Sequence, residues 1–453
     1  VLAGCIRVGP DYQRPDVVEL PAVYPVAAAP GEALIPADWW LLYGDATLSE
    51  LVASARKANA DIRLAAARVQ EAEAVLREAR AALFPDVGAG YTYSRSGVST
   101  SAVPPPPTGT AVRPSHQLLL ASTSYELDFW GRFARASEAA QANLLASRLS
   151  QDTVGLTLTG ATAQTYFALR SLDSQVTVLG LSIQLRQESL AIARSRLDAG
   201  LASELDVYQA EGALADALFQ RRDAERNRAL VERQLAQLTG RLDLKLAAGE
   251  VFALPLPPVP PAGLPSALLE RRPDIRAAEQ SLVAANAQIG VARAALFPTL
   301  SLTGVFGLQS AEFGELMTSG ARVWTIGAGL VGPIFDAGRR EARVEQTQAR
   351  REQAVAGYQR AIETGFREVA DALVNVQESA QAEDELRGRL EAARKALELS
   401  RLRYESGYSP YLEVLDAQRT ANDAAITFVR NRQARLAFSV DLMKALGGGW
   451  NAP

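Results

Sequence analysis

Asp61-Ile62-Arg63 and Ala79-Arg80-Ala81-Ala82-Leu83-Phe84-Pro85 both return 213 residues later, as Asp274-Ile275-Arg276 and Ala292 through Pro298, with no gap between them. The echo continues at an offset of 207: Gly131-Arg132 with Gly338-Arg339, Gly200 with Gly407, and Leu205-Asp206-Val207 with Leu412-Glu413-Val414. The six residues of difference fall between Pro85 and Gly131, where the first copy carries the run Pro104 to Pro107. A unit present twice, differing by one loop, is the plan of the chain.

The 453 residues therefore read as one architecture in two halves. A net charge of −4 gives a nucleic-acid partner no electrostatic support. One His and one Cys leave almost nothing for a metal site or a Cys/His nucleophile. No nucleophile–base set, phosphate loop or metal-ligand spacing occurs, so neither an enzyme nor a cofactor is expected. No run of about 18 apolar residues exists, so no membrane-spanning helix is expected. Prolines mark where long helices are allowed, since proline breaks a helix interior. None lies between Pro114 and Pro255, between Pro333 and Pro410, or between Pro410 and Pro453.

Val1-Leu2-Ala3-Gly4-Cys5 has the form of a bacterial lipobox, in which the lone Cys5 carries lipid and the residues before it are a targeting stub. The alternative is a chance tetrapeptide with a free thiol; position and the absence of a second cysteine favour lipidation. Residues 1–46 then form the stub and an extended, proline-rich arm. Residues 47–250 are the first repeat, 251–265 a Pro-rich linker, 266–447 the second repeat and 448–453 a tail. Leu48, Leu51, Val52, Ala55, Ile62, Ala65, Ala66, Val69 and Leu76 recur at helical spacing, with Asn59-Ala60-Asp61 suggesting a break and Asp61 the cap of the second piece.

Past Pro85 the period becomes two. Val87, Ala89, Tyr91 and Tyr93 alternate with Gly88, Gly90, Thr92 and Ser94, and Leu119, Ala121, Thr123, Tyr125, Leu127 and Phe129 with Leu120, Ser122, Ser124, Glu126 and Asp128. In the second copy Leu300, Leu302, Phe306 and Leu308 alternate with Ser301, Thr303 and Gly307, and Trp324, Ile326, Ala328 and Leu330 with Thr325, Gly327 and Gly329. These are strands of roughly ten residues with one apolar face, in hairpins over about 84–130 and 297–334. The Pro104 to Pro107 loop is expected at the outer tip of the first hairpin.

Long helices are expected over 132–199 and 339–406, each about 100 Å at 1.5 Å per residue. Val355, Tyr358, Ile362, Phe366, Val369, Leu373, Val376 and Ala380 step by three and four, the spacing of side-by-side coiled-coil packing. Both helices stop at matched turns, Ala199-Gly200-Leu201-Ala202-Ser203 and Ser406-Gly407-Tyr408-Ser409-Pro410, with glycine where a C-cap needs a positive φ. A serine follows to cap each return helix (203–240 and 410–446), with Pro410 at the first helical position.

Four strands with an apolar outer face cannot close alone, and an open edge is not tolerated in a bilayer. Three chains give twelve strands, which close, with long helices forming a hollow barrel on one side. A lipid-anchored structural scaffold is the competing class; it would place polar residues on both sheet faces, and the four apolar faces argue against it.

Across essentially its whole length the chain resembles the outer membrane factors, the TolC-like trimeric channel-tunnels of Gram-negative tripartite export systems. It is most similar to the lipoprotein branch serving resistance–nodulation–division efflux pumps. The carriers are Leu2-Ala3-Gly4-Cys5, Val8 to Pro15, Tyr125 to Arg132, Arg271-Arg272-Pro273-Asp274-Ile275-Arg276 and Ala445 to Trp450. The resemblance implies a mainly α fold with a β-barrel part: a twelve-stranded outer membrane barrel over a long periplasmic α-helical barrel. It implies a homotrimer in outer membrane lipid, anchored at Cys5, that takes small molecules from an inner-membrane transporter and a periplasmic adaptor. A tunnel for type I protein secretion is the alternative. It also implies a periplasmic gate at the helix tips, at Asp206, Tyr404, Leu412, Glu413 and Asp416. Some members carry an arginine two residues after the tip glycine; here Ser409 stands there and cannot supply that cation. From the residues alone Asp206 reads equally as a first-turn cap in Ser203-x-x-Asp206, Glu413 has the same first-turn reading, and Leu412 reads more readily as core than as constriction. Tyr91, Tyr93, Trp130 and Trp324 fit an interfacial girdle or ordinary strand positions. His116 receives no role.

Overall fold

The structure is a computed structural model describing residues 7–448 except 17, 20, 22–23, 25–34, 98–111, 262 and 264. Cys5, the Pro104 to Pro107 loop and residues 449–453 lie outside the described residues. In chain order the elements are α1 (Ala46–Ala58), α2 (Ala60–Ala81), β1 (Val87–Gly97), β2 (Val112–Leu127), α3 (Arg132–Asp198), α4 (Glu204–Thr239), α5 (Leu268–Arg271), α6 (Pro273–Ala294), β3 (Thr299–Ser310), β4 (Arg322–Val331), α7 (Arg339–Glu405) and α8 (Tyr411–Ala445). The long helices α3 and α7 have 67 residues each. None of the described helices is long and apolar enough to cross a membrane. The chain divides into two compact units, Val1–Val17 with Val69–Ser147 and Ala278–Tyr358, and Val18–Arg68 with Arg148–Ala277 and Gln359–Pro453.

The first unit holds an antiparallel sheet in the order β1-β2-β3-β4. Its register brings one apolar row from every strand onto a single face: Thr123 pairs with Val87 and Gly304, and Gly304 with Ile326; Tyr125 pairs with Leu302, and Leu302 with Ala328. The opposite face carries Ser122, Ser124, Ser301, Thr303, Thr325 and Gly327. Two details differ from the simple alternation. β2 has 16 residues and begins at Val112. It also holds a bulge at Leu120, since Ala121 faces Phe306 while Leu119 faces Gly307. One extra residue reverses the parity of everything beyond it. Leu118 and His116, and not Leu119, therefore share the apolar face with Ala121. A side chain at Gly307 would run into the carbonyl of Leu118 on the bulged strand, so the bulge requires glycine opposite it.

At the helix-proximal end of this sheet, Trp130 stacks on Phe297 at 4.5 Å and donates its indole N–H to the Pro298 carbonyl. Asp128 accepts from the backbone N–H groups of Phe133 (3.1 Å) and Ala134 (2.8 Å), satisfying orphan donors at the start of α3. The N-terminal arm is docked here. The Val8 N–H donates to the Trp130 carbonyl, Asn286 donates to the Pro10 carbonyl, and Arg135 reaches Asp11 at 2.6 Å. Tyr12 and Arg14 both donate to Glu279.

The second unit has a core of Trp39, Tyr43, Leu48, Leu51, Tyr166, Phe167, Leu235, Leu436 and Val440, all essentially inaccessible. Each such leucine contributes about 2 kcal/mol of transfer free energy. Asp173, 2% exposed, accepts from Arg228 (2.6 Å), Arg170 (3.2 Å) and the Gly249 N–H (3.0 Å), pinning the segment after α4 to α3. The proline-rich stretch is no free connector at its start: Val251 and Leu254 are buried in this core. The break between α1 and α2 is made by Asn59, whose side chain accepts from the Asp61 N–H (2.7 Å) and donates to the Leu238 carbonyl (2.9 Å). The cap is therefore Asn59 and not Asp61, because its amide can serve both partners at once. Of the expected α7 row within this unit, Ile362, Val369 and Leu373 are buried and Phe366, Val376 and Ala380 half-buried.

Candidate functional site

The tips of both long helices lie in the second unit. Gly200 (φ 73°) and Gly407 (φ 79°) take the left-handed conformation that glycine adopts without strain. The turns match bond for bond. Gly200 N–H reaches Leu197 O and Leu201 N–H reaches Arg196 O; Gly407 N–H reaches Tyr404 O and Tyr408 N–H reaches Arg403 O. The return helices start differently from expectation. Ser203 occupies the N-cap position of α4 without a side-chain cap bond, and Pro410 is itself the N-cap of α8, ahead of the first helical residue Tyr411. Ser409 is left one step too early to cap.

Between the turns sits a small core of Leu190, Ala193, Val207, Ala210, Tyr404, Tyr411 and Val414. Arg196, from the last turn of α3, joins the two hairpins: its guanidinium donates to the Tyr404 carbonyl at 2.6 Å and lies 4.8 Å over the Tyr404 ring. That gives a second donor to a carbonyl in the last turn of α7, which also accepts from the Gly407 N–H. The Tyr404 ring packs edge-on against Tyr411 at 5.4 Å. Both hydroxyls are buried and make no hydrogen bond among the described residues. Burial, and then the negative field of Asp206, raise the Tyr404 pKa, opposed by Arg196. Tyr411 is pushed up to about 12, chiefly by burial.

The five expected gate residues fall into two groups. Tyr404 is core, 5% exposed, and half-buried Asp206 is close enough to act on both tyrosines. Leu412, Glu413 and Asp416 point outward: Leu412 is 59% exposed, Glu413 meets Arg403 at 3.5 Å, and Asp416 meets Arg419 at 2.9 Å. The capping-box reading of Asp206 is not realised by side-chain bonds, for only its backbone N–H returns to the Ser203 carbonyl. Arg196, Arg403 and Tyr411 were not singled out from the sequence. For Arg196 a signal existed, a basic residue in the last turn of a helix, where the dipole favours it. Leu201, Leu205, Tyr208 and Tyr408 are also exposed around the turns.

No group of His, Cys, Asp and Glu among the described residues could hold a metal ion. His116 lies elsewhere, on the apolar face of the sheet beside Tyr91 and Tyr93.

A family model described as outer membrane efflux protein matches residues 51–241 and 264–448. Outer membrane protein OprJ of Pseudomonas aeruginosa is 36% identical over 459 residues, covering 99% of this chain and 94% of that protein. Toluene efflux pump outer membrane protein TtgF of Pseudomonas putida is 35% identical, over 99% of this chain and 95% of its own. Among solved structures, the outer-membrane channel OprN superposes with a TM-score of 0.91 at 27% identity, over 98% of this chain and 99% of that one. The open state of the Neisseria gonorrhoeae MtrE outer membrane channel gives 0.87 at 29%, over 98% of each chain.

Proposed function

Because the chain belongs to the outer membrane efflux protein family, we infer that three copies close into one passive conduit that carries small molecules out through the outer membrane. The sheet of the first unit carries this reading. It has one apolar and one polar face, and the outer edges of β1 and β4 are unpaired among the described residues. Such edges invite pairing with another copy, and twelve strands leave none open. Relatives named for toluene, solvent and antibiotic efflux favour small molecules over secreted proteins as cargo. The periplasmic adaptor and the inner-membrane resistance–nodulation–division transporter enter as partners on the same ground, and the exposed apolar residues at the turns support docking there. Detergent-solubilised protein is expected to have the mass of three chains and to form conducting channels in planar bilayers. A monomer that retains its β-structure would refute the closed barrel.

The gate is assigned to the tips. Arg196 and Tyr404 hold the hairpins of one copy together, while Leu412, Glu413 and Asp416 face the space a threefold axis would bring together, as a constriction that is apolar at one level and anionic at the next.

Lipid at Cys5 completes the reading. Arg7, two residues on, lies against Gly131 at the helix-proximal end of the sheet. Two residues span at most about 7 Å, so a lipid on Cys5 would enter the leaflet beside the barrel. Mass spectrometry of the membrane-extracted protein should find diacylglyceryl and N-acyl groups on Cys5. An unmodified thiol would remove the anchor, and Cys5→Ser should still trimerise.

A further inference from the structure

The bulge at Leu120 sets a polar cluster at the far end of the apolar face. His116 pairs with Tyr93 and Ser310, and Leu118 with Tyr91 and Leu308, one rung nearer the helices. The Tyr91 hydroxyl lies 2.8 Å from His116 Nδ1, the Tyr93 ring is 4.7 Å from the imidazole, and Phe313 closes the group edge-on at 5.7 Å. Where the Tyr91 hydroxyl donates to Nδ1, the imidazole N–H lies on Nε2. One rung further out on the same face stands Arg95, opposite Pro114. Arg95 is exposed and has no ion pair among the described residues, with Glu312 and Glu315 of the neighbouring connection included. Arg322 on β4 adds a second cation to this face, level with Tyr91.

The height of this cluster is fixed by the strand. Leu300, on the helix-proximal rung, and Ser310, on the His116 rung, are ten residues apart. That is about 33 Å along the strand and about 25 Å along the membrane normal at a tilt of roughly 40°, the height of the apolar band of outer membrane barrels. An unpaired arginine, an imidazole N–H and a phenol on a lipid-facing surface at the level of the headgroups form a donor set for a phosphate. We propose that Arg95, His116 and Tyr93 bind the phosphate of a lipid headgroup in the outer leaflet, with the aromatic rings against its acyl chains. The proposal rests on the barrel reading above, which directs the apolar face to lipid. Arg113 is the internal control: it pairs with Ser96 at the same height but on the opposite, inward face.

The test uses trimers freed of lipid in a phosphate-free detergent and analysed by native mass spectrometry. They are offered phosphatidylglycerol in mixed micelles, diacylglycerol in the same micelles, or inorganic phosphate alone. Wild type is expected to retain phosphatidylglycerol and neither of the others. The R95Q/H116F variant should lose it about tenfold, and R113Q should match wild type. Retention by R95Q/H116F, or equal loss in R113Q, overturns the site. Equal binding of free phosphate overturns the lipid assignment, and equal binding of diacylglycerol removes the phosphate from it. Arg95→Gln alone, an exposed change, repeats the measurement if the double variant assembles poorly. Failure of the barrel reading would be seen separately, as loss of the three-chain mass in wild type.

Discussion

Ile326→Arg is expected to abolish assembly in the membrane, while Thr303→Arg, on the paired strand but on the other face, should assemble and alter conductance instead. Ile326 is fully on the apolar side, paired with Gly304 and hence level with Thr123 and Val87, near the middle of the band between Leu300 and Ser310. An arginine there costs about 2–4 kcal/mol at the bilayer midplane, and a closed trimer would suffer the cost three times. The measurement is the fraction of protein recovered as trimer from outer membranes. Equal recovery of Ile326→Arg and wild type would mean that this face does not meet lipid. Thr303 lines the opposite face with Gly327, so its substitution places charge in a wet interior and should be read in single-channel conductance and ion preference.

The second large effect is at the tips. Arg196→Ala removes a charged hydrogen bond to a helix-end carbonyl, about 1.5–3 kcal/mol, and a cation–π contact of about 0.5–2 kcal/mol. With the two hairpins of each chain untied, conductance should rise several-fold, since the narrowest point dominates the resistance. Tyr404→Phe should leave conductance unchanged, because the Tyr404 hydroxyl makes no hydrogen bond among the described residues. Glu413→Gln combined with Asp416→Asn should weaken cation preference, leaving Arg403 and Arg419 unopposed. Wild-type conductance in Arg196→Ala and wild-type selectivity in the double variant, in intact trimers, would reduce these residues to helix-end packing.

Much of the fold was legible because its signals are local. The proline-free stretches and the glycine turns at 200 and 407 mark the long helices, and the two-residue period marks the strands. What failed needed a partner to be seen. The parity change at Leu120 exists only in relation to β1 and β3, so reading β2 alone put Leu119 on the wrong face and left His116 without a place. Asn59 took the cap from Asp61 because the Leu238 carbonyl, far off in sequence, engages its other end. At the tips, family position named Tyr404 and Leu412 together, yet one is interior and the other exposed. Local pattern cannot separate them, since both follow helical spacing and their burial depends on which hairpin, or which copy, packs alongside. Arg196 escaped because a basic residue near a helix end is ordinary until its carbonyl partner is known.

The docked arm carries a consequence for how the chain folds. Tyr12 meets Glu279 across 267 residues of sequence, and Asn286 meets Pro10 across 276. Loop-closure entropy makes such pairings late events, so the segment nearest the start of the chain is among the last to find its place. Until α6 exists the arm has only Trp130 and Arg135 to hold, and Tyr12 and Arg14 wait with their polar groups solvated. A chain tethered to the membrane near residue 7 would narrow that search, because the tether confines the arm to the leaflet where its partners form. Refolding of an untethered chain should therefore be slowest in this clasp, and the two repeats mature as one kinetic unit, since the arm crosses from α3 of the first to α6 of the second.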